Sequence, residues 1–297
     1  QNQPVLYVRE GVHGADRVLL DPNALNSTGT TALDWYFPSE DGRMLAYGLS
    51  EDGNEDSTLH LMDVATGCVL VDHIERTRAA EIAWLPDTSG FFYTRYPRKG
   101  EVPEDELQYH RAVHFHRLGE DPARDRLVFQ PEEKEHWPGV SLSPDGRWLV
   151  VTVARTFDQM DVYLQEQVAG AVLTPVVRNL PFSYHAQIAH GQLYLRTNEG
   201  APQYRLYLAD PAAPDRAHWR EIVPPREDAV LDGFLITKSA LGLSYLERAS
   251  SRLRVTDLEG GHIREIALPT IGSLFGWGGA PDVDELFYGF SSYTVPP

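Results

Sequence analysis

The sequence has a single cysteine, Cys68, among 297 residues. It cannot close an internal disulfide or build a cysteine-rich metal site. Its apolar neighbours in GCVLVD mark it as a small core hydrophobe rather than a nucleophile. Disulfides therefore lend no support to an extracellular life. Long apolar runs are missing too: none approaches the ~20 residues that a membrane-spanning helix needs, so no membrane partner is expected. The leading QNQPVLYVRE has neither the basic start nor the hydrophobic stretch of a signal peptide. The chain does not begin with Met, which leaves an upstream part open. The expected compartment is the cytoplasm, with the periplasm as the alternative. Basic residues are scarce, 26 against 43 acidic ones, giving a net charge of −17. Such a chain is repelled by phosphate backbones and anionic membranes, so nucleic acid is not an expected partner. The charge serves solubility and, on a sharper reading, attracts cationic ligands.

Helical periodicity is the remaining absence. No segment sustains it over a dozen residues, and DPNALNSTGTTALDW could hold one helical turn at most. What the chain does contain is short strands between turns. They include PVLYV, RVLL, MLAYGL, TLHLMDV, GFFYTRY, AVHFHRL, WLVVTV, DVYLQ, QLYLRT, YRLYL, LGLSYL, RLRVTDL and ELFYGF. The fold class is all-β.

These strands repeat. SEDGRMLAYGL at 39–49 and SPDGRWLVVTV at 143–153 are the same turn-plus-strand written twice, and AWLPDTSGFFYTRY is a third version. In each unit an Asp-Gly-type turn opens a strand, a second strand ends in a polar turn such as ATG, LGED or LEGG, and a third, outer strand precedes a connector. Asp41, Asp87, Asp145 and His190 mark successive units 46, 58 and 45 residues apart. One small sheet cannot bury both of its faces, so neighbours must cover it. Periods near ~45 residues with several strands each point to propeller blades, and a pair of sandwich domains is the competing arrangement. PVLYVRE and RVLLDP before Ala32 look like half a blade. With six readable units after them, the expectation is a seven-bladed β-propeller with one blade incomplete, spanning residues 1–297 as a single domain.

Several blocks go further than a generic propeller. QNQPVLYVRE…RVLLDPNAL, FPSEDGRMLAYGLSEDG, IAWLPDTSGFFYTRYP, VHFHRLGEDPARDRLVF, SLSPDGRWLVV, LRTNEGAPQYRLYLAD and the closing IGSLFGWGGAPDVDELFYGFSSYTVPP resemble, in order and spacing, the propeller domain of prolyl oligopeptidases. The resemblance covers essentially the whole chain. It implies a propeller capping an α/β-hydrolase domain that carries a Ser, Asp, His triad, and that domain is absent here. The residues agree. A hydrolase of this kind needs a G-x-S-x-G elbow, and the nearest approaches, GVSLS at 139–143, GLSYL at 242–246 and GFSSY at 289–293, lack the second glycine and sit in strand-like contexts. Without an activated nucleophile no triad can be assembled. This chain alone is then not an enzyme, whereas the parent protein is a serine-type prolyl endopeptidase. On the resemblance, its partners are the hydrolase domain and short proline-containing peptides.

The candidate site residues come from three places. In the acidic EDGNED, 51–56, the family has an acidic residue that pairs with an arginine of the substrate pocket, and Glu55 stands there. The stretch has the composition of a calcium loop but not its spacing, and reads as a hairpin turn. After the strand WLVVTV the family lines its cavity, which singles out Arg155 and Phe157, a cation and an aromatic. Arg76 and Arg78 in ERTRAAE, and Asn198 in RTNEG, are candidates of the same kind. His114 and His116 in HFHRL share one strand face, as a metal pair can, but nothing nearby completes a ligand set. DPNAL reads as a turn. No cofactor and no metal are expected. Three functions are open: a substrate-gating propeller that excludes folded proteins, a free-standing interaction platform, and a catalytic propeller with acids around its axis.

Overall fold

The computed structural model describes residues 3–26 and 28–293. Of the closing motif, residues 294–297 lie outside them. The chain divides into two compact units, residues 1–146 with 153–155, and residues 147–152 with 156–297.

The described residues form seven sheets, each built from consecutive strands. The first pairs β1 (Leu6–Arg9) with β2 (Asp16–Leu20). The second holds β3 (Ala32–Pro38), β4 (Met44–Ser50), β5 (Thr58–Asp63) and β6 (Val69–Ile74). The third holds β7 (Ile82–Trp84), β8 (Gly90–Arg95), β9 (Ala112–Arg117) and β10 (Arg126–Phe129). The fourth holds β11 (Trp137–Leu142), β12 (Trp148–Ala154), β13 (Met160–Glu166) and β14 (Thr174–Val177). The fifth runs through β15 (Tyr184–Ala189), β16 (Gln192–Thr197), β17 (Arg205–Ala209) and β18 (Arg220–Val223). The sixth holds β19 (Val230–Ile236), β20 (Ala240–Glu247), β21 (Ser250–Asp257) and β22 (Arg264–Ile266). The last pairs β23 (Ser273–Gly279) with β24 (Leu286–Ser291). Seven sheets are as expected, but two of them, the first and the last, hold only two strands where the sequence pointed to one incomplete blade.

The full sheets have four strands, not the three that the repeat grammar gave. The missed strand is the one before each Asp-Gly-type turn: β3, β7, β11 and β15. The turn is a hairpin between it and the strand that the sequence did show. In SEDGR, Gly42 N–H donates to Ser39 O (2.9 Å), Ser39 Oγ reaches Asp41 (2.7 Å) and Gly42 takes φ +68°. SPDGR repeats this with Gly146 N–H to Ser143 O (2.8 Å) and φ +72°, and Ser143 Oγ again bonds its own turn's aspartate. Glycine is favoured there because the left-handed region is free for it and strained for other residues. In PDTSG, Thr88 takes that place at φ +55°.

Neighbouring sheets within each unit stack face to face and share their cores. In the first unit Ala46, Leu59, Leu61 and Ile74 of the second sheet meet Ile82, Trp84, Phe91 and Tyr93 of the third. In the second unit Trp148, Val150, Val162 and Leu164 meet Tyr184, Ile188, Leu193 and Leu195, and the fifth and sixth sheets meet through Tyr194, Leu206, Phe234 and Leu243. Each of the larger aliphatic side chains among them contributes about 1.5–3 kcal/mol by leaving water.

Cys68 departs from expectation: it is exposed. It lies in the β5–β6 turn, where Asp63 Oδ1 accepts from Thr66 N (2.8 Å) and Thr66 Oγ1 (2.7 Å). The strand after it alternates, with Val69 and Val71 outward and Asp72 and Ile74 inward. The apolar run that suggested burial is an outer strand whose odd positions face solvent. DPNAL forms a single 3-10 turn, Pro22–Ala24, capped by the Asp21 carboxylate.

Candidate functional site

Two loops and two strands, β3 and β11, of the first unit build a recess of about 560 Å³, lined by Asp34, Trp35, Glu55, Ser57, Arg78, Ala79, Ala80 and Trp137. The β4–β5 turn is the stretch EDGNED. It doubles back through left-handed Asp52 (φ +53°), Gly53 (φ +70°) and Glu55 (φ +56°), with Asn54 Oδ1 accepting the N–H of Asp56 at 2.8 Å. Its acids do not converge. Glu51 takes the Thr31 hydroxyl (2.9 Å), Glu55 pairs with Arg78 (2.7 Å), and Asp56 pairs with Arg76. Among the described residues no group of three His, Cys, Asp or Glu side chains could hold a metal.

The β6–β7 loop carries the arginines. Thr77 anchors it, donating its N–H (2.9 Å) and hydroxyl (2.8 Å) to Ser57 O. Arg76 and Ala79 take φ +66° and +47°, so two non-glycine residues are held in the left-handed region, at a cost of about 1–3 kcal/mol each. Arg76 turns inward and also donates to Pro97 O (3.1 Å) and Leu107 O. It is a structural cross-link whose side chain is only 12% exposed. Arg78 stays at the mouth, where its pair with Glu55 is largely solvated.

The two tryptophans were not legible as site residues. Trp35, on β3, lies over Gly48, and its indole N–H donates to Thr77 O at 3.0 Å. Trp137 opens β11 and is 47% exposed. Its indole N–H donates to Tyr96 Oη, and the Arg111 guanidinium lies 5.0 Å from its ring centroid. Arg111 also holds Ala79 O (2.6 Å) and Thr94 Oγ1 (2.6 Å), and burial pulls its affinity for a proton below the usual guanidinium range. Asp34, also on β3, accepts from the Ser50 (3.0 Å) and Ser57 (2.5 Å) hydroxyls.

Of the six residues expected from the sequence, the lining of this recess contains Glu55 and Arg78, with Arg76 paired to the neighbouring Asp56. The others are elsewhere. Asn198 is a turn residue: its side chain accepts the Ser183 N–H (2.9 Å) and its carbonyl the Ala201 N–H (3.1 Å). Arg155 and Phe157 flank Thr156 in the β12–β13 turn, with the Phe157 ring fully exposed. The nearest approaches to a nucleophile elbow, Ser141, Ser244 and Ser291, lie in strands β11, β20 and β24.

A second polar cluster lies between the second and third sheets. His116 of β9 is 0% exposed, with Nδ1 2.7 Å from Asp125 and Nε2 3.1 Å from Asp72. Asp125 also accepts the Tyr93 hydroxyl (2.6 Å), and Asp72 the Gly119 N–H (2.6 Å). Burial works against the imidazolium, but bonds and charge from Asp125 and Asp72 outweigh it and hold His116 above the usual histidine range. His114, two residues away on the same face, has a buried Nδ1 with no partner among the described residues. Burial, helped by the positive charge of Arg95, pushes it down to about 4. The surroundings favour the charged form of His116 and the neutral form of His114.

Residues 1–297 match the family described as the prolyl oligopeptidase N-terminal β-propeller domain. A prolyl endopeptidase of Elizabethkingia meningoseptica is 28% identical over 305 residues, covering 100% of this chain and 42% of that protein. Prolyl oligopeptidase A of Galerina marginata is 28% identical over 296 residues, covering 91% of this chain and 39% of its own. A solved structure from a mechanistic study of two prolyl endopeptidases superposes with a TM-score of 0.92 at 33% identity, over 98% of this chain and 43% of that one. Prolyl oligopeptidase B of Galerina marginata shares the fold at a TM-score of 0.85 and 22% identity. This chain thus spans about two fifths of the length of these relatives. Seven successive antiparallel sheets, the repeated Ser-x-Asp-Gly hairpins and the end-to-end match converge: the chain belongs to the prolyl oligopeptidase N-terminal β-propeller family.

Proposed function

We propose that residues 1–297 form one propeller domain that gates access to the catalytic domain of a serine endopeptidase cleaving short peptides on the C-terminal side of proline. The observation that carries this reading is the match along the whole chain to the propeller portion of prolyl endopeptidases, at about two fifths of their length. The chemistry then belongs to an α/β-hydrolase domain of the same cytoplasmic protein. The propeller's part is physical. Its sheets are packed through large buried side chains, so a cavity behind them admits flexible peptides and rejects folded ones. The recess at Glu55 and Arg78 supplies the polar face on that path: an ion pair exposed enough to exchange partners, on backbone held rigid by Thr77 and Arg76.

The test is an assay of this chain alone, and joined to the hydrolase segments, against a fluorogenic proline-containing peptide. The expected result is no turnover by the chain alone and turnover by the joined protein. In the joined protein, kcat/KM for a short peptide should exceed that for the same sequence displayed on a folded carrier by orders of magnitude. Turnover by the isolated chain, or equal cleavage of both substrates, overturns the reading.

A further inference from the structure

We propose that the recess between Trp35 and Trp137 receives the cationic side chain of a peptide, lysine or arginine, with Asp34 as its counter-ion. The proposal rests on the reading of this face as the one that peptides meet. It goes beyond that reading by naming the kind of residue the recess selects.

Most charges around the recess are already engaged. Glu55 has Arg78, Asp56 has Arg76, and Glu51 has Thr31 and Asn26. Asp34 differs. Its two oxygens are held by two neutral hydroxyls, Ser50 Oγ at 3.0 Å and Ser57 Oγ at 2.5 Å, and among the described residues no basic side chain pairs with it. A carboxylate offers about four acceptor positions, so two hydroxyls fix its orientation and leave acceptor capacity open. Ser57 is fully buried, so one of the two groups holding Asp34 cannot swing away.

Next come the walls. Both indole N–H groups are consumed inside the protein, Trp35 by Thr77 O and Trp137 by Tyr96 Oη. The tryptophans therefore present rings and edges to the recess and no hydrogen-bond donor. Arg78 is the one cation of the described lining, and Glu55 engages it. An anionic side chain would have to compete with Glu55 for that guanidinium. The lining holds two carboxylates against one guanidinium, a formal balance of −1. Rings beside a carboxylate suit a group with an apolar stem and a cationic head, because the ring quadrupole attracts the cation while the stem covers the ring. The chain's net charge of −17 draws cations toward it at long range.

The space is present because of small residues. Ala79 and Ala80 line the recess, and Arg111 grips Ala79 O at 2.6 Å to hold that stretch in its left-handed turn. A longer side chain at either position would occupy the volume that the ligand takes.

The test is a titration of the whole chain, with its tryptophans labelled with nitrogen-15, by three N-acetylated, C-amidated peptides, Gly-X-Gly-Pro-Gly with X lysine, norleucine or glutamate. Capping both ends removes terminal charges, so a preference reports the side chain. The expected result is movement of the Trp35 and Trp137 indole N–H signals, with the lysine peptide bound at least about five-fold more tightly than norleucine, and glutamate weakest. The preference should shrink as salt is raised from about 20 to 200 mM. D34N should bring the lysine-to-norleucine ratio close to one, and the salt series on the unaltered chain probes the same charge without a variant. Equal binding of lysine and norleucine, or tighter binding of glutamate, overturns the cation assignment and leaves the peptide-facing reading standing. No indole response to any of the three overturns both.

Discussion

His116 can be removed almost isosterically, which makes the buried cluster between the second and third sheets a quantitative test. H116F keeps a ring of similar size beside Phe91, whose centroid lies 5.3 Å away, but deletes both N–H donors. Asp125 keeps the Tyr93 hydroxyl and Asp72 keeps the Gly119 N–H, each at 2.6 Å. Two carboxylates then remain in a site where the imidazole was 0% exposed, with their shared cation gone. Breaking a buried pair costs about 3–5 kcal/mol. Each carboxylate retains one strong donor, so the expected loss is near 3–4 kcal/mol, read as a shift in urea midpoint at constant slope by far-ultraviolet circular dichroism. The triple variant H116F with D72N and D125N removes the stranded charges and should recover most of that loss. The pH dependence has a definite sign. The folded protein holds His116 above its unfolded value near 6.5, so its contribution is complete below that pH and fades as pH rises through the folded value. The gap between the native chain and H116F should therefore narrow from pH 6.5 upward. A gap under about 1 kcal/mol at pH 6.5, or one that widens toward pH 9, would refute the charged-clamp account.

Other outcomes rest on the same geometry. His114, held near 4, should show ring signals that do not titrate between pH 5.5 and 8. Because the unfolded chain takes up that proton first, stability should fall as pH drops from about 6.5 toward 4, the opposite slope to His116; a His114 signal titrating above pH 6 contradicts this. G48A places a methyl carbon 2.2 Å from Trp35 Cε2, so overpacking should cost about 1–3 kcal/mol and change the fluorescence of that indole, whereas an unchanged melting temperature would mean that Trp35 does not lie flat on β4. R76M should destabilise by about 2–4 kcal/mol, since it strands Asp56, whose Oδ1 is already without a partner among the described residues. R78M, at the exposed pair, should change stability by less than about 1 kcal/mol in the same melting experiment.

The contrast between Arg76 and Arg78 shows what the sequence could carry. ERTRAAE offered two arginines of equal standing, and nothing in their spacing says that one is buried and bonded to Leu107 O and the other solvated. Middle strands such as WLVVTV and GFFYTR are legible because burial on both faces writes a continuous apolar run. Their hairpin turns are legible because the left-handed position selects glycine after Asp. The first strands of these sheets are not: WPGVSL contains Pro and Gly, IAW has three residues, and YHAQIA is half polar. Trp35 and Trp137 lie on two of those strands, so the recess was invisible for the same reason that the fourth strand of each sheet was. The acidic turn was recognisable as a turn, but which acid pairs with which arginine is decided by backbone in the left-handed region at Glu55 and Arg76, which their residue types do not announce. Asn198 is tied into its own turn by Ser183 and Ala201, which its residue type does not announce, and Cys68, expected in the core, is exposed in the β5–β6 turn.

Every sheet of the described residues comes from one uninterrupted stretch of chain, with neighbours in sequence as neighbours in the ladder. This bears on how the protein is made. A ribosome adds about 5–20 residues per second, whereas a hairpin closes within about 1–10 microseconds. Each sheet's partners are thus already present when its last strand emerges, and none waits for distant sequence. What must wait is the cover for its apolar face, supplied by the next sheet roughly 45 residues later. For those few seconds the newest face, with side chains such as Phe91 and Tyr93, is uncovered. The interval between one sheet and the next is therefore the window in which a nascent chain of this kind shows its apolar surface to other chains.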